Sequence, residues 1–391
     1  MYCKMLSGEC VVSHRLKVDF FLLFCAVLLQ QLHPIITLVL FIVIILRDWI
    51  HYGIYQFWNL TSILLLVTLI SFFYNGVNTG NVTVNNAVWY TFPSFIALII
   101  GFDFALKFSN QKQVFYFLFL VTFALALPHV LVTGLDIMKT GLVNPERTLS
   151  IYGDEDVQRA VTARTVELSL AISGISLFFV NKITPPRMIV KYFVCLSILA
   201  ELCTLHYLSR TGIGLMFVAL VFSFFRNVKL SGKTLLMILV FVVLGVILIN
   251  SALFSLFLER EIDGSSISDV GGRTERWSYG LIFLLENPQG YHVENWYAHN
   301  FWLDFGAAGG LWSSILLAMF SLLVLKKVFL LSKHTMLERY NSFLLVLFEI
   351  IFFLTLFTEP VHSGASAYMY IYFMIAGLIT GLYKRFAIRY K

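Results

Sequence analysis

Three stretches of this chain carry residue types able to do acid–base or anion chemistry. One is His299-Asn300 with Asp304, inside ENWYAHNFWLDFGAAGG at 294–310. An imidazole changes protonation near neutral pH, so it can take a hydroxyl proton without a strongly shifted pKa. If a helix starts near Asn300, Asp304 lies about one turn below His299 and can orient its ring. A histidine at a helix start is also an ordinary hydrogen-bonded structural group, and both readings stand at this point. The second stretch is His206-Tyr207-Leu208-Ser209-Arg210-Thr211-Gly212. Arg210 sits between two apolar runs with no loop to carry it into bulk water, a costly position near a membrane. Either it snorkels to the interface, or it projects into an outward-facing cavity to meet a phosphate. Glu201, deeper in the same run, is a candidate structural partner. The third stretch is Gly271-Gly272-Arg273-Thr274-Glu275-Arg276-Trp277, where paired glycines permit a sharp turn just before two arginines. A guanidinium fork holds phosphate oxygens two at a time and stays charged when partly dehydrated.

The elements that must position these residues follow from composition. Of 391 residues, 59% are hydrophobic and 13% charged, and Phe alone contributes 38. A soluble domain cannot hide that much apolar surface. The chain therefore reads as an all-α polytopic membrane protein, a single integral membrane domain over 1–391. Apolar runs of spanning length number about twelve, near 18–31, 34–46, 57–75, 88–106, 113–132, 166–181, 189–208, 212–225, 234–256, 300–325, 341–358 and 366–383. The first two are short, are split by Gln30-Gln31-Leu32-His33-Pro34, and read as a tight hairpin with Lys17 and Arg47 on one side. His14-Arg15-Leu16-Lys17 leads into the first run with no small-residue cleavage pattern, so that run is expected to remain as an anchor.

The net charge of +6 reports topology rather than nucleic-acid binding. With both termini cytoplasmic, eight of the 28 basic residues fall outside: Lys139, Arg147, Arg159, Arg164, Arg210, Arg260, Arg273 and Arg276. The remaining 20 lie inside, where Lys outnumbers Arg by 13 to 7, whereas seven of the outer eight are Arg. As a set these arginines point to an anionic ligand on the outer face. The competing reading for any one of them is a loop salt bridge, with Glu146, Asp154, Glu155, Asp156, Glu259 or Glu261 as partner. Two outer loops are long enough to do chemistry, 133–165 and 257–299. The second contains a helical pattern through Trp277, Leu281 and Leu284-Leu285 that closes at Glu286-Asn287-Pro288 and Gly290. That pattern is an amphipathic helix lying at the membrane interface. Gly306, Gly309 and Gly310 would let another helix, or a lipid chain, approach closely. The five cysteines show no metal spacing, and no phosphate-binding or dinucleotide motif is present, so no cofactor is expected.

An SRT-type motif at the outer end of a span, a GR…W segment closing with ENP and G, and His-Asn opening a glycine-rich span occur in that order over roughly 205–315. In this the chain resembles the bacterial O-antigen polymerase and O-antigen ligase superfamily, multi-spanning glycosyltransferases of the metal-independent, lipid-phosphate-donor type. The resemblance implies a GT-C-like helical fold with two long periplasmic loops in the bacterial inner membrane. It also implies a glycan linked to undecaprenyl diphosphate as donor, inverting transfer to an acceptor hydroxyl, and a chain-length regulator among the partners beside membrane lipid. Carried over by motif, His299 would be the base and Arg210 and Arg273 would grip the diphosphate, with Arg276 a further diphosphate-binding candidate chosen for its side and charge. Asn300, Asp304, Arg164 and Arg147 are secondary substrate-binding candidates. The ligase pattern departs at its last position, where Ser313 stands, and this favours a polymerase over a ligase. A transporter of lipid-linked sugars is the rival from another class. It would show two related halves and midplane binding groups, whereas here the halves look unlike and the polar residues gather on one face.

Overall fold

A computed structural model of the chain describes residues 14–30, 33–52, 57–144, 157–179, 187–227, 273–292, 297–333, 337, 339–359, 361 and 366–389. Every regular element among them is helical. In chain order these are α1 (His14–Leu29), α2 (Pro34–Tyr52), α3 (Leu60–Asn78), α4 (Val84–Lys107), α5 (Gln111–Thr140) and α6 (Val157–Ile172), which runs on into a 3-10 segment, Ser173–Phe179. Then come α7 (Arg187–His206), α8 (Arg210–Asn227), α9 (Arg273–Glu286), α10 (Phe301–Gly309), α11 (Leu311–Lys333), α12 (Arg339–Thr358) and α13 (Ser366–Arg389). Seven are long and apolar enough to cross a membrane: α3, α4, α5, α7, α11, α12 over Asn341–Thr358 and α13 over Ser366–Phe386. Pro34–Arg47 and Arg210–Phe224 are shorter apolar helices. The expected run at 234–256 lies outside the described residues, as does 257–272 of the second long loop. The described chain is thus an all-α, membrane-embedded protein.

Helix α13 is the most enclosed of the seven and packs along α4 through glycines. A methyl group on Gly101 would come within 1.8 Å of the Met374 carbonyl oxygen, and one on Gly377 within 2.1 Å of that of Leu98. Gly377 and Gly381 stand four apart on one face of α13, the small-xxx-small spacing that lets two backbones touch without water-driven collapse. At the other edge, α1 and α2 form the expected hairpin. Thr37 Oγ1 donates to the Ala26 carbonyl at 2.7 Å, and Arg47 reaches Asp19 at 3.6 Å. Lys107 adds a 3.2 Å pair to the buried Asp19.

Helix α3 relates the two ends of the bundle. At its start Thr61 accepts a hydrogen bond from Lys327, and near its finish Asn75 Nδ2 donates to the Gly309 carbonyl at 3.2 Å. Lysine therefore marks one end and the break after α10 marks the other.

Two expected boundaries move. The run at 300–325 is not one helix: it stops at Gly309 and restarts at Leu311. Gly310 takes φ +89°, a conformation side chains resist, and a methyl group there would meet the Pro288 carbonyl oxygen at 2.9 Å. The first long loop, placed at 133–165, is helical through Thr140 and again from Val157. Thr133 and Asp136, polar residues near its expected start, are fully buried inside the bundle.

Replacing Gly101 with Leu should overpack the α4–α13 seam, at a cost of about 1–3 kcal/mol or more. The apparent melting temperature in detergent should fall well below that of Gly134→Leu, a site with nothing within 4 Å of the added carbon.

Candidate functional site

The chain leaves α7 at His206 and enters α8 at Arg210 with only three residues between. Such a reversal requires an unusual backbone, and Leu208 supplies it with φ +49°. Ser209 N–H donates to the Thr204 carbonyl at 2.9 Å, and the Ser209 hydroxyl caps Gly212 N–H at 3.3 Å. The turn rests on a buried brace. Tyr207 OH donates to Asp136 Oδ2 at 2.6 Å, and Arg164 Nη1 reaches Asp136 Oδ2 at 2.6 Å and Tyr207 OH at 2.7 Å. Arg164 is only 4% exposed. It therefore sits in an internal ion pair beneath the Arg210 turn, and its acid comes from α5 rather than from the loop. Nearby, His129 pairs with Glu167, again inside the bundle.

Arg273 opens α9, and its Nη2 donates to Glu359 Oε1 at 3.0 Å. The same oxygen accepts from the hydroxyl of Thr211, the residue after Arg210. The SRT and GR segments are thereby joined through one carboxylate at the end of α12. Aromatic packing fixes that meeting point. The Trp277 ring lies 4.5 Å from that of Phe357, and Trp302 packs on Phe353 at 5.1 Å. Glu359 was not singled out from sequence; its only signal was being a lone acid closing an apolar run.

His299 adopts φ +55°, and with Leu208 it is one of two non-glycine residues of positive φ among the described residues. Such backbones cost about 1–3 kcal/mol and persist where the surroundings over-determine them. Asp304 does so here. Its Oδ1 accepts Ala298 N–H at 2.6 Å and its Oδ2 accepts Asn300 N–H at 3.2 Å. The expectation that Asp304 orients the imidazole ring is corrected: it grips the backbone on either side of His299. Asn300 is the N-cap of α10, its Oδ1 accepting the N–H groups of Trp302 and Leu303, both at 3.2 Å. Asn300 and Asp304 are buried, so each acts by shaping the turn that presents His299.

The segment closing α9 holds α10 from outside. Tyr291 N–H donates to the Ala307 carbonyl, and Leu311 N–H donates to that of Pro288, both at 2.8 Å. The glycines of α10 face protein rather than lipid at two positions. Methyl groups on Gly306 and Gly309 would meet Leu284 at 2.7 Å and Phe72 at 2.5 Å. Helix α9 itself buries Gly280 and Leu284 while leaving Leu281, Ile282 and Leu285 exposed, as an interfacial helix would.

The Tyr297 ring meets the His299 ring at 4.7 Å, and Arg276 lies 5.9 Å over Tyr297. His299 Nδ1 is buried with no hydrogen-bond partner among the described residues. Burial, joined by the charges of Arg273 and Arg276, pulls the imidazole pKa down to about 3, so it is neutral at pH 7. Burial pushes the Asp304 carboxyl up to about 7, opposed by its two backbone hydrogen bonds and by Arg276. The structure thus brings together His299, Arg273 and Arg276, and connects Arg210's segment to them through Thr211 and Glu359. Arg147 lies outside the described residues. No group of three or more His, Cys, Asp or Glu able to hold a metal occurs among the described residues.

Compared with known proteins, the chain matches no family model and no curated protein.

Because positive neighbours disfavour an imidazolium, Arg276→Gln should raise the His299 pKa. With 15N-labelled histidine, wild-type His299 should stay neutral from pH 8 down to pH 5, and the variant should titrate at higher pH than wild type.

Proposed function

We propose that this protein is an O-antigen, or surface-polysaccharide, polymerase. It joins undecaprenyl-diphosphate-linked repeat units by inverting, metal-independent glycosyl transfer. In this reading it is a GT-C-like enzyme of about twelve spans in the bacterial inner membrane, both termini cytoplasmic and the site facing the periplasm. The observation that carries it is a neutral imidazole, held in a strained turn and lacking a partner on Nδ1, beside two arginines.

The chemistry balances with those groups alone. The acceptor hydroxyl oxygen forms a bond to the donor's anomeric carbon as that carbon's bond to the diphosphate oxygen breaks. The hydroxyl proton passes to His299, and the electron pair leaves with the diphosphate. Arg210, Arg273 and Arg276 stabilise the leaving charge, which electrostatic preorganisation can do without proton donation. Bound diphosphate also offsets the arginine charges, so His299 becomes a stronger base once the donor is in place.

Complementing a deletion strain with wild type, His299→Ala or Arg210→Ala and running the lipopolysaccharide on a gel tests this. Both variants should leave core carrying a single repeat. Bare core would identify a ligase instead, and a normal ladder from His299→Ala would remove the base assignment. With purified protein and a lipid-linked repeat, His299→Ala should lower kcat by about 10²- to 10⁴-fold, the usual worth of a general base.

A further inference from the structure

Glu359 occupies a place built for an anion. It directly follows α12, is 7% exposed, and fixes its backbone by donating N–H to the Thr355 carbonyl at 2.9 Å. One of its carboxylate oxygens takes both the Thr211 hydroxyl and, at 3.0 Å, the Arg273 guanidinium. Thr211 is the second residue of α8 and Arg273 the first of α9. A hydroxyl at a helix N-terminus together with a guanidinium is a phosphate receptor in kind: two donors, a fixed positive charge and a helix dipole of the right sign. The receptor is also within reach of a ligand, because the Arg273 side chain keeps 20% of its surface exposed while Glu359 keeps 9%.

We infer that Glu359 is an internal stand-in for the donor's diphosphate, exchanged for it at Thr211 and Arg273 when donor binds and restored when the product diphosphate leaves. This rests on the diphosphate-dependent reading above. The exchange is anion for anion, so the two donors never stand without a partner, while the displaced Glu359 carboxyl takes up a proton or turns to water. Its consequence is kinetic. A competing carboxylate weakens donor and product diphosphate alike, and a weakly held product departs quickly. Glu359 is then a positioning residue that sets release, and it need not touch the reacting carbon.

Farnesyl diphosphate is a suitable probe, measured on the full chain in detergent. Glu359→Gln should bind it about two- to fivefold more tightly than wild type, the scale expected for a charge pair whose arginine is partly exposed. Arg273→Gln should weaken binding, and adding Glu359→Gln to it should change little, because the carboxylate competes mainly through Arg273. In steady-state transfer, Glu359→Gln should lower KM and kcat together. Glu359→Asp keeps the charge on a shorter arm and should bind at an intermediate affinity, which serves if the amide variant folds poorly. If Glu359 merely props Arg273, its loss will weaken binding and raise KM, and the exchange is overturned. An Arg273→Gln protein that binds the probe as wild type does would overturn the diphosphate reading itself, and the exchange with it.

Discussion

The site depends on Asp304 holding the two N–H groups that flank His299. A left-handed residue aims its neighbouring amides in one direction, and a carboxylate one turn into the next helix is placed to accept both. Without that clamp the strained backbone of His299 would relax toward ordinary φ, and the imidazole would swing off Tyr297. Asn300 makes the clamp possible by starting α10 immediately. The arrangement converts two buried polar side chains into geometry, and what that geometry presents is the half-buried histidine.

Around this turn, electrostatics and packing act in the same direction. Burial first, and then Arg273 and Arg276, suppress the imidazolium, so the His299 ring is neutral across the neutral range. Their own positions come from aromatic contacts: Arg276 over Tyr297, and Trp277 of the same helix against Phe357. Phe357 lies two residues before Glu359, so the packing that seats α9 also delivers the carboxylate to Arg273. Beneath Arg210 the Asp136–Arg164–Tyr207 brace does a comparable job for the other turn.

Much of this was legible in the sequence, and the failures have physical reasons. Spans are read from apolar length, so α3, α4, α5, α7, α11, α12 and α13 emerged near their positions. His299, Arg273 and Arg276 were found because their types and order are unusual in so apolar a chain. Glu359 was not, because its partners are 148 and 86 residues away and only tertiary packing unites them. Arg164 was read as a substrate-binding candidate because charge alone cannot reveal a buried acid one helix away. Asp304 was placed on the correct turn, but helical periodicity gives a side chain's face and not the bond it makes. The break at Gly310 was hidden by continuous hydrophobicity, since a positive-φ glycine leaves no mark on hydropathy.

That break bears on how the chain is threaded. At about 1.5 Å per residue, the nine residues of α10 cover less than half of a hydrocarbon layer about 30 Å thick, while the 23 of α11 suffice by themselves. One apolar stretch therefore contributes a single crossing plus a spare helix of about two and a half turns that need not cross at all. Splitting it leaves the parity of the remaining helices untouched, so a short helix can rest at the mouth of a span without inverting anything that follows.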